Sequence, residues 1–165
     1  MTRNKPLPSA EELNFLFEYK DGVLFWKQRK PGRKRGFPAG TVRKIGYVAV
    51  HVNGNQFLAH RIIFKMLTGK DPEAVDHING KKSDNRIENL RSCTYRENSF
   101  NKPLTKQNKS GVKNVSWYAP YKKWRVALRI QNKQKNFGYF DDIELAELVA
   151  AEARDKHHSG FANHG

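Results

Sequence analysis

One cysteine, Cys93, is all that a chain of 165 residues carries. An internal disulfide is therefore excluded, and so is a structural zinc site built on paired cysteines. The fold must stand on its core, and Cys93 itself reads as a small buried residue. Acidic residues are scarce too: 16 Asp and Glu face 31 Lys and Arg, a formal net charge of +15. That excess goes well beyond what solubility requires and points to a polyanion, with counterion release from phosphates as the driving term. Long apolar runs are missing, from the Met1-Thr2-Arg3-Asn4-Lys5-Pro6 start onward. Neither an export signal nor a bilayer span is expected, and no basic amphipathic helix or lipid signal takes their place. The expectation is a soluble, intracellular protein with no membrane partner. Length alone allows one medium domain or two very small ones.

Ser9 caps a predicted helix with Glu11 and Glu12 in its first turn and Leu13, Leu16 and Phe17 as its apolar stripe, ending near Asp21-Gly22. Val23 to Trp26, Gly46 to Val52 and Gln56 to Ala59 are β-rich, separated by the basic loop Lys30 to Gly40 and the turn Asn53-Gly54. They predict a small antiparallel sheet. His60 to Leu67 has helical spacing and is closed by Gly69 and Pro72. The stretch NKPLTKQNKSG from Asn101 to Gly111 lacks an apolar period and reads as a linker. Beyond it, Val112 to Tyr118, Trp124 to Ile130 and Lys135 to Phe140 predict three strands, and Ile143 to His157 an alanine-rich helix.

Val75 to Asn101 reads VDHINGKKSDNRIENLRSCTYRENSFN and holds an acid, a histidine and a late asparagine. Hydrolysis of a phosphodiester needs a group that takes a proton from water, and a neutral histidine, with an ordinary pKa of about 6.5, does this at physiological pH. His77 is the candidate. A hard cation with oxygen ligands neutralises charge on the phosphate and the departing 3′ oxygen, and Asp76 and Asn98 offer such oxygens. Asn79-Gly80 is a two-residue hairpin signal that puts Asp76 and His77 near a strand end. Adjacent strand residues point to opposite faces, so one of the pair must turn locally for both to serve one phosphate. Thr94-x-x-Glu97 is a capping box, starting a helix with Asn98 in its first turns. His60 reads as a packed core or sheet-capping residue, and Asn79, Asp84 and Asn85 as loop chemistry.

DHINGKKSDNRIENL followed by an asparagine resembles the HNH homing endonucleases of phage type, whose core is the ββα-metal fold. The resemblance covers roughly residues 22–101, including AHRIIF. It implies that His77 is the general base, that Asn89 is the middle asparagine bracing loop and histidine, and that Asn98 and Asp76 bind the metal. Many relatives clamp the motif with paired cysteines on zinc; here packing alone must hold it.

In Trp124 to Ile130 one face alternates Trp124, Val126, Leu128 and Ile130 while Arg125, Ala127 and Arg129 point the other way. A three-stranded sheet with arginines on its open face suits the major groove. From GVKNVSWY through KKWRVALRI and FGYFDD to the terminal GFANHG, the segment is similar to the Apetala/ethylene-response-factor DNA-binding domain, which also occurs fused to phage HNH nucleases. The resemblance implies groove-facing Lys113, Ser116, Tyr118, Arg125, Arg129, Gln134 and Asn136. Ser116 and Asn136 stand where plant members have arginine and tryptophan, so the plant target does not carry over. Trp117 and Trp124 are assigned to the core.

The expected fold is α+β: a ββα-metal nuclease core with a small N-terminal antiparallel sheet over residues 1–102, a linker over 103–110, and a three-stranded antiparallel sheet packed on one helix over 111–165. The expected activity is cleavage of double-stranded DNA, with Mg2+ as cofactor, Mn2+ as substitute and no structural zinc. A monomer or homodimer with no obligate protein partner is expected, acting in the cytoplasm of a bacterial host as a product of a phage or mobile element. Two other classes stand beside it. A non-cleaving DNA-binding regulator with a decayed HNH scaffold shares the binding, and a structural RNA-binding protein shares the charge but leaves Asp76, His77 and Asn98 unexplained.

Overall fold

The computed structural model describes residues 5–28, 34–101, 104, 107–131, 133–158 and 161. Part of the basic loop (29–33), part of the expected linker (103, 105, 106) and most of the terminal GFANHG lie outside them. The chain is mixed α and β with antiparallel sheets throughout, and it divides into two compact units, Met1–Asn98 and Ser99–Gly165. No helix among the described residues is long and apolar enough to cross a membrane.

In the first unit, helix α1 (Ala10–Leu16) starts where Ser9 Oγ accepts from the Glu12 N–H at 3.1 Å. It stops at Leu16, short of the expected Asp21-Gly22. Phe17–Lys20 is strand β1, paired with β2 (Val23–Trp26) around that Asp21-Gly22 turn. The reason is local: Phe17 and Tyr19 alternate with Glu18 and Lys20, and Phe17 buries its ring 4.5 Å from that of its cross-strand partner Trp26. A second sheet holds β3 (Thr41–Val42), β4 (Val48–Val52) and β5 (Asn55–Leu58) in that order. Asn53 and Gly54, with φ of 49° and 74°, make the tight turn between β4 and β5. Helix α2 (Ala59–Thr68) ends at left-handed Gly69 and buries His60, Ile62, Ile63, Phe64 and Met66. Its apolar stripe meets Leu13, Phe17, Leu24, Val50, Val75 and Leu90 in one core. Strands β6 (Ala74–His77) and β7 (Leu90–Cys93) pair antiparallel, and helix α3 (Tyr95–Phe100) follows.

In the second unit, β8 (Val115–Tyr118), β9 (Lys123–Ile130) and β10 (Lys133–Phe140) form a sheet with β9 central, and helix α4 (Ile143–His158) covers one face. Val115, Val126 and Leu128 pack there against Ala146, Ala150 and Ala153, whose small side chains let helix and sheet approach closely. Trp124 packs against this core as expected, but Trp117 does not join it: its side chain is 53% exposed on edge strand β8, edge-on to Trp124 with ring centres 5.1 Å apart. An alternation rule reads a tryptophan as core without knowing that its strand lies at the sheet edge, where one flank has no neighbouring strand.

Candidate functional site

Asn79-Gly80 does not close a two-residue hairpin. Strands β6 and β7 are joined by residues 78–89, a polar loop shaped by its own asparagines. Asn89 Oδ1 accepts from the Asn79 N–H at 3.0 Å, and Asn89 Nδ2 donates to Asn79 Oδ1 at 3.0 Å and to the Asp84 carbonyl at 2.7 Å. Asp84 in turn accepts two bonds of 2.8 Å from the Arg86 guanidinium and one from Asn79 Nδ2, and Arg86 foremost holds its carboxyl below the ordinary carboxylate range. The loop is also buttressed from the N-terminal hairpin. The Ile87 N–H donates to Tyr19 Oη at 3.0 Å. Gly22, at φ +82°, lies so close that a Cβ there would meet the Arg86 nitrogen at 2.8 Å.

His77 ends β6 and is buried at 4% exposure. Its Nε2 lies 2.9 Å from Asn85 Oδ1, and Asn85 is 2% exposed. An amide oxygen only accepts, so this bond puts the ring proton on Nε2 and the ring's lone pair on Nδ1. Asn89 shapes the loop that delivers Asn85. Two further rings adjoin His77: His60 from the first turn of α2, edge-on with centres 4.8 Å apart, and Tyr47, 5.9 Å from His77 and 5.4 Å from His60. Burial, aided by His77 and Arg61, pushes the His60 imidazole down to about 3, so it stays neutral. Burial and the Asp76 charge push the Tyr47 phenol up. Lys82 lies over the outer face of Tyr47, 5.1 Å from the ring centre.

Asp76 and His77 are adjacent on β6, with Arg91 and Leu90 as their cross-strand partners, and the Asp76 charge reaches Tyr47, the ring beside His77. Asp76 meets its cross-strand partner Arg91, whose Nε and Nη2 donate to Oδ2 at 3.0 and 2.8 Å. Beyond β7 the capping box forms: Thr94 Oγ1 accepts from the Glu97 N–H at 3.2 Å, and Glu97 Oε2 accepts from the Thr94 N–H at 2.8 Å. Asn98 follows on the first turn of α3, its N–H bonded to the Thr94 carbonyl at 3.0 Å. No group of three or more His, Cys, Asp or Glu able to hold a metal occurs among the described residues. The donors on offer, a buried carboxylate and an amide oxygen, suit a hard cation such as magnesium, which takes one or two carboxylates and completes its shell with water and substrate phosphate. The residues fit that group by chemistry and do not form a closed protein cage.

The open face of the second unit's sheet follows from its register. Ser116 pairs with Arg125, Tyr118 with Lys123, Gln134 with Arg129, Asn136 with Ala127 and Tyr139 with Arg125. Paired residues share a face. Ser116, Tyr118, Arg125, Arg129, Gln134 and Asn136 therefore lie together opposite α4. Lys113 does not join them: it precedes β8, and its ammonium donates to the Phe100 carbonyl at 2.9 Å. Burial and Arg154 push that ammonium down to about 8. A tyrosine cluster went unread in the sequence, with Tyr118, Tyr121 and Tyr139 rings 4.8–5.1 Å apart and Arg125 over Tyr118 at 5.5 Å.

Asn85, His60 and Tyr47 are the site neighbours that sequence reasoning missed. Nothing distinguishes Asn85 from its loop companions along the chain; burial does. Set beside known proteins, residues 57–100 match the HNH endonuclease family model. The chain is 31% identical over 100 residues to protein 3.8 of Escherichia phage T7, covering 59% of this chain and 83% of that protein. It is 42% identical over 76 residues to the uncharacterized HNH endonuclease L560 of Acanthamoeba polyphaga mimivirus, covering 44% of this chain and 40% of the relative. It is also 31% identical over 81 residues to YosQ, an SPbeta prophage-derived relative from Bacillus subtilis (strain 168) named after HNH homing endonucleases, covering 48% of this chain and 47% of the relative. The chain thus spans less than half the length of the last two. No solved structure matches it.

Proposed function

Because this chain belongs to the family of phage T7 protein 3.8 and carries an HNH endonuclease domain, we propose that it is a metal-dependent endonuclease that hydrolyses phosphodiester bonds in double-stranded DNA. The observation that carries the reading is the buried His77–Asn85 pair next to Asp76, inside the segment the family model matches. His77 takes a proton from the attacking water at Nδ1, and Asn85 holds the other ring proton on Nε2 and so fixes the ring's orientation. Arg91 sets the orientation of Asp76. A magnesium ion held by Asp76 and Asn98, with manganese as substitute, supplies charge neutralisation at the phosphate and the departing oxygen when bound. The products carry 5′ phosphate and 3′ hydroxyl. Strands β6 and β7 with α3 are the ββα-metal element on this reading.

The open sheet face of the second unit is the DNA reader, of the Apetala/ethylene-response-factor kind, with Arg125 and Arg129 on the phosphates and Gln134 and Asn136 toward base edges. Its shared face and the net charge of +15 support this. The biological role is that of a phage or mobile-element homing endonuclease working in a bacterial cytoplasm, in line with the name of the B. subtilis prophage relative.

The test is supercoiled plasmid incubated with purified protein in magnesium or EDTA, beside His77→Ala. Metal-dependent nicking or linearisation that vanishes in His77→Ala is the expected result. Intact plasmid with both proteins, in magnesium and in manganese, while DNA is still shifted on a gel, favours the non-cleaving regulator.

A further inference from the structure

His60 is an expensive residue for its position. It stands in the first turn of α2, beside the core residues Ile62 and Ile63, and it is 4% exposed. A phenylalanine would fill the same space with no polar atom to desolvate. His60 Nδ1, moreover, has no hydrogen-bond partner among the described residues. A buried polar atom left in that state costs stability, and such atoms in native proteins have an explanation. The one at hand is its neighbour, because the ring lies edge-on to His77, 4.8 Å centre to centre, with Tyr47 as the third wall.

We propose that His60 Nδ1 binds the water molecule on which His77 acts, so that one water donates its two protons to two imidazole nitrogens. This inference rests on His77 being the general base of a nuclease. The water then has two fixed partners, and its lone pairs face the phosphorus. As the new P–O bond forms and the bond to the 3′ oxygen breaks, His77 takes one proton. His60 keeps its hydrogen bond to the other, and the departing 3′ oxygen acquires its proton from solvent. A neutral imidazole is required for this acceptor role, and burial keeps His60 neutral. The rigidity comes from α2, whose buried stripe anchors the ring from below.

The experiment compares wild type, His60→Phe and His60→Gln in single-turnover cleavage of a labelled plasmid, with thermal midpoint and DNA affinity measured alongside. His60→Phe is expected to fold and bind DNA as wild type does while cleaving at least 10-fold more slowly, the loss falling in the rate and not in KM. His60→Gln keeps a hydrogen-bond acceptor and is expected to recover part of the rate. Cleavage by His60→Phe within twofold of wild type overturns the proposal. Should His60→Phe fail to fold, His60→Gln decides through the same rates, beside a crystal structure of the wild-type protein at a resolution that shows waters. A water bonded to both rings supports the inference, and a dry Nδ1 overturns it. If wild type itself cuts nothing under any metal, the nuclease reading fails first and takes this inference with it. A wild type that cuts beside an equally active His60→Phe sinks the inference alone.

Discussion

His77 Nε2 and Asn85 Oδ1 lie 2.9 Å apart, a buried pair from opposite ends of one polar loop segment. The bond makes the tautomer of His77 a property of the loop. Asn85→Ala is accordingly expected to slow cleavage about 10- to 100-fold, as loss of an orienting partner usually does, with DNA affinity unchanged. Single-turnover rates and gel-shift titrations of the same variant read both quantities. Asn85→Asp retains an acceptor and is expected to lose less.

Arg91 and Asp76 form the other supported pair, across β6 and β7. Removing Arg91 leaves a carboxylate that is 6% exposed without its guanidinium. Arg91→Ala is expected to lower unfolding free energy by about 3 kcal/mol and to raise the magnesium concentration needed for half-maximal cleavage, because Asp76 loses its orientation. Urea melts and a metal titration measure the two effects. An unchanged metal requirement argues against Asp76 as a ligand.

Acid should destabilise the first unit through His60. Burial lowers its folded pKa to about 3, against about 6.5 in an unfolded chain. Between those values the unfolded chain binds a proton that the folded one refuses, so stability falls as pH falls, by up to about 1.4 kcal/mol per pH unit. Above pH 7 the contribution is flat. Urea melts from pH 7 down to pH 4 are expected to show this decline, and His60→Phe to show a shallower one. Parallel slopes in the two proteins would mean that His60 is protonated in the fold.

On the second unit, Arg125 and Arg129 share the open face. If they neutralise phosphates, the double variant Arg125→Ala/Arg129→Ala lowers affinity for any duplex and reduces the slope of log K against log salt by about 2. Fluorescence anisotropy at several salt concentrations tests it. A loss confined to one DNA sequence points instead to base reading.

Short-range rules made the capping box at Thr94 and Glu97, the Ser9 cap and the Asn53-Gly54 turn legible, because each is settled within a few residues. The same rules misread Asn79-Gly80, since a turn signal does not say whether the chain pairs at once or continues through a loop. They extended α1 past Leu16, because Phe17 fits a helical stripe and a strand pattern equally well until Trp26 is known to face it. The contact of Asn85 with His77 is not legible along the chain, because it depends on how the folded loop turns that amide inward. Trp117 shows the same limit from the other side: its alternation is that of a core residue, but its strand takes an edge position, which only the sheet order reveals.

The contacts from Tyr19 and Gly22 to the loop at Asn85–Ile87 give the HNH segment a dependency that its own residues do not display. The segment recognised as HNH starts at residue 57, yet the hairpin that steadies its central loop is built from residues 17–26. The family motif and the folding unit thus have different borders on the same chain. A recombination event that transplanted residues 57–100 alone would carry Asp76, His77 and the asparagines to a new host protein and leave their scaffolding behind. Such a motif travels successfully only with its upstream hairpin, or into a protein that offers an equivalent wall.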